Sequence, residues 1–286
     1  MSTPSYTLTM PTSHTTSVVF ASPHSGRDYP STFLNDSVLD EQSVRSSEDA
    51  FVDQLFTVAP DHGAPLLVSN TPRAFVDLNR GPEELDPALI KGLRRVDHNP
   101  RVSSGLGVIP RVVAGGRAIY RGKLSLRDAQ ARLTEHWHPY HTMLQSMLDR
   151  SRAVFGEAIL IDCHSMPHEA VKSLCKGTMR CPEIVLGDRF GASASPEIVD
   201  RIEAAFILAG FQTARNTPFA GAYMTQHYGR PSRRQHVVQI EIDRALYLDE
   251  QMVQPNGDFE QVQARLASVI AEIAEIGRSE QALAAE

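Results

Sequence analysis

Residues 160–167 read "LIDCHSMP", an apolar run that passes through Asp162, Cys163 and His164 and stops at Pro167. With Ile159 in front, the segment Ile159–Asp162 is apolar except at its last position, the pattern of a strand covered on both faces. Such a strand belongs in the middle of an α/β sheet. The same arrangement occurs near the start of the chain. There, "VVFASPHSG" (18–26) is apolar from Val18 to Ala21 and then delivers Pro23, His24, Ser25 and Gly26. Two buried strands thus each present an imidazole at one end.

Between and beyond these strands, short β-branched runs alternate with helical periodicity, which predicts an α/β fold. Leu66–Ser69 and Ala74–Asp77 read as short extended segments. Ser46 or Ser47 is placed to cap a helix carrying Phe51, Val52, Leu55, Phe56 and Ala59 on one side. The stretch 81–101 mixes charge with Pro and Gly and reads as an irregular excursion. "GLGVIPRVV" and "RAIYRG", flanking Gly115-Gly116, predict a hairpin. Ser125, with Asp128 three residues on, opens a long helix that Pro139 must kink or interrupt. Further elements are a helix from Ser195-Pro196 to Gly210, a strand over Val237–Ile242 and a closing helix over Phe259–Ile276. No repeat or linker divides the sequence, so one domain over residues 1–286 is expected.

Composition narrows the partners. The 286 residues include 42% hydrophobic positions, enough for a substantial core, and the net charge is −6. Lys and Arg are scattered, which leaves no footprint for nucleic acid or an anionic membrane and points to a small molecule. No run approaches the roughly 18 apolar residues of a membrane span. The polar opening "MSTPSYTLTMPTSHTT" lacks a secretion signal's basic and apolar regions, so a cytoplasmic protein is expected. Cys163, Cys175 and Cys181 form no Cys-x-x-Cys pair and are expected as free thiols.

In open α/β sheets, ligands gather where strands end. His24 and His164, joined by a carboxylate, would make a three-ligand zinc site with a position open for water. "SEDAFVD" (47–53) offers Glu48, Asp49 and Asp53 as that carboxylate, or as ordinary acids at a helix start. "PRAFVDLNR" (72–80) carries Arg73, Asp77, Asn79 and Arg80, and the last two suit a substrate carboxylate or a surface ion pair. Glu241 stands inside the apolar strand "VVQIEID", where a carboxylate calls for a metal, a base, a catalytic task or pairing with Arg244. "HWHPYH" (136–141) reads as helix packing around Trp137. The glycines of "GLGVIPRVVAGG" match no nucleotide-binding fingerprint, which argues against ATP and NAD.

Taken together, "SPHSGRDYP", "SEDAFVDQLF", "PRAFVDLNRGPEELDP", "GLGVIPRVVAGGRAIYRGKLS", "LIDCHSMP", "VLGDRFG", "NTPFAGAYMTQHYGRP" and "QIEIDRALYLDE" resemble the N-formylglutamate amidohydrolase (N-formylglutamate deformylase) family from about residue 17 to residue 250. The resemblance implies a zinc-peptidase-like (phosphorylase/hydrolase-like) three-layer α/β fold with a mixed central sheet. It also implies metal-dependent hydrolysis of N-formyl-L-glutamate to formate and L-glutamate in histidine degradation. By motif, His24 and His164 correspond to ligands of one divalent metal, expected to be Zn2+. Related zinc hydrolases carry an acidic ligand three residues after the first histidine. Arg27 stands there instead, so Asp49, with Glu48 as the alternative, is expected to be the third ligand. Glu241 takes the place of the catalytic glutamate, and Arg73 is expected at the oxyanion. Asn79 and Arg80 are expected on one substrate carboxylate and Arg244 on the other. A zinc deacylase or carboxypeptidase acting on another N-acyl amino acid, or a non-catalytic binding protein of the same fold, would show much the same pattern.

Overall fold

The computed structural model describes residues 4–93, 99–172, 174–175 and 181–278. Its centre is a seven-stranded sheet with the order β1-β3-β2-β4-β7-β5-β6. The strands are β1 (Tyr6–Thr9), β2 (Val18–Ser22), β3 (Leu66–Ser69), β4 (Ala158–Met166), β5 (Ile184–Gly187), β6 (Thr213–Arg215) and β7 (Gln235–Asp243). The inner strands β3, β2, β4 and β7 run parallel, while β1 and β5 pair antiparallel to their neighbours β3 and β7, so the sheet is mixed.

Helices cover both faces and make three layers. One face buries Val18, Phe20, Ile159, Ile161, Val238 and Ile240 against the helices Pro196–Leu208 and Phe259–Ile276. The other buries Val19, Ala21, Leu160 and Val237 against Tyr140, Leu144 and Leu148 of the helix His138–Phe155. Every residue of β2, β4 and β7 is buried, as strands covered on both faces should be. Burying one such aliphatic side chain contributes about 1.5–3 kcal/mol, which is why these strands dictate the sheet's centre.

On the second face, side chains two apart point the same way. Along β4, Leu160 is followed by Asp162 and His164; along β7, Val237 is followed by Gln239 and Glu241. The two strands pair in register, Asp162 opposite Gln239 and His164 opposite Glu241. The face is therefore apolar at one end and ionisable at the other.

Several local expectations are corrected. Ser46 closes the helix Glu41–Arg45 instead of opening the next one, which is only Val52–Leu55 and is entered through a left-handed Phe51 (φ 62°). Ala74–Asp77 forms turns, because Phe75 and Val76 donate backbone N–H groups to Pro72 O and Asp77 N–H to Val108 O, leaving no ladder. The hairpin is reduced to one antiparallel bridge, Val112 with Ala118, around positive-φ Gly115 and Gly116. The chain does not break at Pro139. A π-helical turn over Leu133–Trp137 absorbs the missing N–H and the helix continues to Phe155. Ser125 and Asp128 form the expected reciprocal cap. The excursion at 81–101 includes 94–98, outside the described residues.

Cys175 and Cys181 are joined by a disulfide, against the expectation of free thiols. The fold brings their Cα atoms to 4.8 Å, within bonding range, and Cys163 alone is a free, buried thiol among the described residues. No helix among the described residues is long and apolar enough to cross a membrane.

Candidate active site

At the polar end of the second face, β2 and β4 lie side by side and bring His24 and His164 to a ring separation of 4.7 Å. Asp49 arrives from the bend before Phe51, where its N–H bonds to His24 O at 3.0 Å. One ligand atom from each of His24, Asp49 and His164 lies within 4.8 Å of the others, and all three residues are buried. Glu48, the alternative acid, points elsewhere. It accepts from Tyr29 Oη at 2.6 Å and from Arg45 Nε at 3.0 Å.

The hydrogen-bonding around these rings fixes what they present. His24 Nε2 is 2.7 Å from Asp77 Oδ1, and a carboxylate there accepts the ring's hydrogen. That leaves Nδ1 as a lone pair, buried, with no hydrogen-bond partner among the described residues and 3.4 Å from Asp49 Oδ2. His164 Nδ1 lies 2.8 Å from the same Asp49 oxygen. Its Nε2 is 2.9 Å from Asp162 Oδ1, out of line for a hydrogen bond. Asp162 is fully buried and neither of its oxygens finds another partner among the described residues.

The electrostatics say what is wanted here. Burial pushes the Asp49 carboxyl up, but His164 and His24 outweigh it and hold it well below its ordinary value. Burial likewise disfavours a charged His164, yet Asp162 and Asp49 raise that imidazole well above its usual value. Buried carboxylates surround the rings and call for a cation. Two imidazoles and a carboxylate are a donor set for zinc, and a carboxylate placed as Asp77 is behind His24 would fix the tautomer of a ligating ring. The residues fit a divalent cation.

Beside the cluster is a cavity of about 660 Å³ lined by His24, Asp77, His164, Gln239 and Glu241, and by Arg73, Arg80, Arg101 and Arg244. Glu241 accepts from Gln239 Nε2 at 2.8 Å through Oε1, and burial pushes its carboxyl up to about 7. It is not paired with Arg244. That side chain reaches Asp49 Oδ1 at 2.9 Å and Ser165 Oγ at 3.1 Å. Arg73 lies 3.2 Å from Asp77 Oδ2 and 3.6 Å from Asp49 Oδ1.

Asn79 is held by the chain. Its Oδ1 accepts from Met224 N at 2.8 Å and its Nδ2 faces His164 Nε2 at 3.2 Å. Arg80 is fixed at two nitrogens, with Nε donating to Leu106 O at 2.9 Å and Nη1 to Asn79 O at 2.8 Å.

The "HWHPYH" run does pack as expected, and it also fixes this segment. Trp137 Nε1 donates to Arg80 O at 2.9 Å. His141 stacks on Trp137 and sits 3.0 Å from Leu78 O through Nε2. Burial lowers its pKa to about 3, so it is neutral, donating to Leu78 and accepting from Tyr228 Oη at 2.7 Å.

The structure thus brings together His24, Asp49, His164, Glu241, Arg73, Asn79, Arg80 and Arg244, puts Asp77 behind His24, and adds Asp162 and Gln239. Asp162 and Gln239 were detectable by counting two positions back from His164 and Glu241 on strands of known direction.

Comparisons with known proteins agree with this architecture. Residues 16–248 match the profile of the N-formylglutamate amidohydrolase family. The N-formylglutamate deformylase of Pseudomonas aeruginosa is 33% identical over 231 residues, covering 78% of this chain and 80% of that one. The deformylase of Pseudomonas putida is 30% identical over 236 residues, 82% of each. The crystal structure of N-formylglutamate amidohydrolase from Ralstonia eutropha superposes with a TM-score of 0.89 at 32% identity, over 96% of this chain and 99% of that one. An Agrobacterium tumefaciens protein, at 16% identity and a TM-score of 0.67, shares the fold. With the profile running from ahead of β2 to beyond β7, the chain belongs to the N-formylglutamate amidohydrolase family.

Proposed function

We propose that this protein is an amidohydrolase that cleaves N-formyl-L-glutamate to formate and L-glutamate, with one divalent cation, zinc by its donor set, held by His24, Asp49 and His164. When bound, such a cation acts as a Lewis acid on a carbonyl and lowers the pKa of water to about 7.

The chain's own groups would do the rest. Glu241 Oε1 is occupied by Gln239, so Oε2 takes the proton of the attacking water. As the formyl carbon becomes tetrahedral, its oxygen gains charge, and the Arg73 guanidinium at the cavity wall stabilises it. The C–N bond then breaks, and Glu241 passes its proton to the departing amine nitrogen, which leaves as L-glutamate. Arg80 binds one substrate carboxylate through its remaining nitrogen, on a backbone that Asn79 and Trp137 hold rigid. Arg244 lines the cavity with its fork turned on Asp49 and Ser165, so we assign it to aiming Asp49.

The observation that carries this reading is the register of β4 and β7, which sets Glu241 beside His164. A buried base next to a cation-demanding cluster is the minimum equipment for hydrolysing an amide. Formate release from N-formyl-L-glutamate, compared with cleavage of its N-acetyl and N-succinyl counterparts, tests it. The formyl compound should give the highest kcat/KM; a better acetyl or succinyl substrate would make the protein a different deacylase, and no turnover at all would favour a binding protein.

A further inference from the structure

Two of the cavity's four guanidiniums are already balanced by the chain: Arg73 by Asp77 and Asp49, and Arg244 by Asp49. Arg80 and Arg101 line the same space, and among the described residues neither has a carboxylate within salt-bridge distance. An unbalanced guanidinium in a cavity wall is a receptor for an anion, and its planar fork suits a carboxylate.

Arg101 is not a stray surface residue; its backbone is located on both sides relative to Arg80. It lies in the first turn of the short helix Pro100–Ser103, where Asn99 Oδ1 accepts from Arg101 N at 3.0 Å and Val102 N at 3.3 Å. Asn99 Nδ2 in turn donates to Glu84 Oε2 at 3.0 Å, and Glu84 Oε1 accepts from Gly81 N at 2.8 Å, the residue next to Arg80. From the other side, Leu106 N donates to Arg101 O at 2.9 Å while Leu106 O accepts from Arg80 Nε at 2.9 Å. Two separate hydrogen-bond relays therefore tie the backbone of Arg101 to the segment that carries Arg80.

They differ in depth. Arg80 is buried and Arg101 is exposed at the rim. In an N-acyl-glutamate the α-carboxylate is close to the reacting amide and the γ-carboxylate is two methylenes farther out. We propose that Arg101 binds the γ-carboxylate while Arg80 takes the α-carboxylate, so that Arg101 sets the preference for an acidic side chain. This rests on the substrate assigned above.

The test compares N-formyl-L-glutamate with N-formyl-L-glutamine, nearly the same shape with a neutral side-chain end. Wild-type protein should favour the glutamate compound, and Arg101→Ala should lower the ratio of the two kcat/KM values by roughly tenfold, the lower end for a charged hydrogen bond because the site is exposed. Arg101→Lys should restore part of the ratio. Arg101→Gln, which keeps length and polarity without charge, should behave like the alanine variant. Because both substrates are read in the same variant, a general loss of folded protein cancels. A ratio that stays at the wild-type value in Arg101→Ala and Arg101→Gln overturns the assignment. Formate release from neither compound by the wild-type protein would mean that the substrate reading itself is wrong, and the role of Arg101 would fall with it.

Discussion

The Asp77 carboxylate, 2.7 Å from His24 Nε2, decides which nitrogen of that ring faces the cluster. With the hydrogen on Nε2, the lone pair of Nδ1 is aimed at the place shared with Asp49 and His164. The same Asp77 accepts from Asn79 N at 2.8 Å and Arg73 Nε at 3.2 Å, so one carboxylate orders an imidazole of the cluster, the backbone at Asn79 and a guanidinium of the cavity wall.

Asp77→Asn keeps the shape and removes the preference for that tautomer. Cation affinity should fall about 10–100-fold, the usual cost of losing an outer partner of a ligating histidine. Competition with a chromophoric chelator measures it. Unchanged affinity would remove Asp77 from the account.

Chelation should abolish turnover, and stoichiometric zinc should restore it. His24→Ala, Asp49→Ala and His164→Ala should each lose both metal content and activity, whereas Glu48→Ala should retain the metal, because Glu48 is engaged with Tyr29 and Arg45. Elemental analysis of the purified variants decides between the two acids.

Glu241→Gln should lower kcat by about 10²–10⁴-fold, the scale of general acid–base catalysis, and leave metal content intact. The base must be ionised to act, so kcat/KM should fall as pH falls through its pKa. Burial, partly offset by His164, Arg73 and Arg244, puts that carboxyl at about 7, and a neighbouring cation favours the ionised form, so the acid limb of the loaded enzyme should lie below 7. The glutamine variant should lack this limb. An identical limb in the variant would assign it to another group.

Trp137→Phe preserves the stack on His141 and removes only the donor to Arg80 O. KM should rise several-fold, about what one hydrogen bond contributes, with a smaller change in kcat. A change confined to thermal stability would make the contact purely structural.

Much of the sheet was legible because β2 and stretches of β4 and β7 are short apolar runs, and burial on two faces leaves such runs few alternatives. Ala74–Asp77 was misread because β-branched and aromatic residues suit strands, whereas here Phe75, Val76 and Leu78 fill the core from a series of turns. His24, His164 and Glu241 stood out as ionisable groups in apolar surroundings. The parts played by Asp162 and Gln239 depend on strand register, which is a relation between distant segments. The bend that delivers Asp49 turns on a left-handed Phe51, a conformation its side chain does not announce.

The pairing of β4 with β7 also has a consequence for the nascent chain. Ala158 meets Gln235 and Met166 meets Asp243, contacts between strands that are far apart along the chain. Nonlocal pairings of this kind form slowly, since loop closure precedes any gain from contact. On the ribosome, residues 18–166 would emerge with the imidazole-bearing strands complete but with the flank of β4 bare. Translation products truncated before residue 235 should therefore be chaperone clients, not weak enzymes.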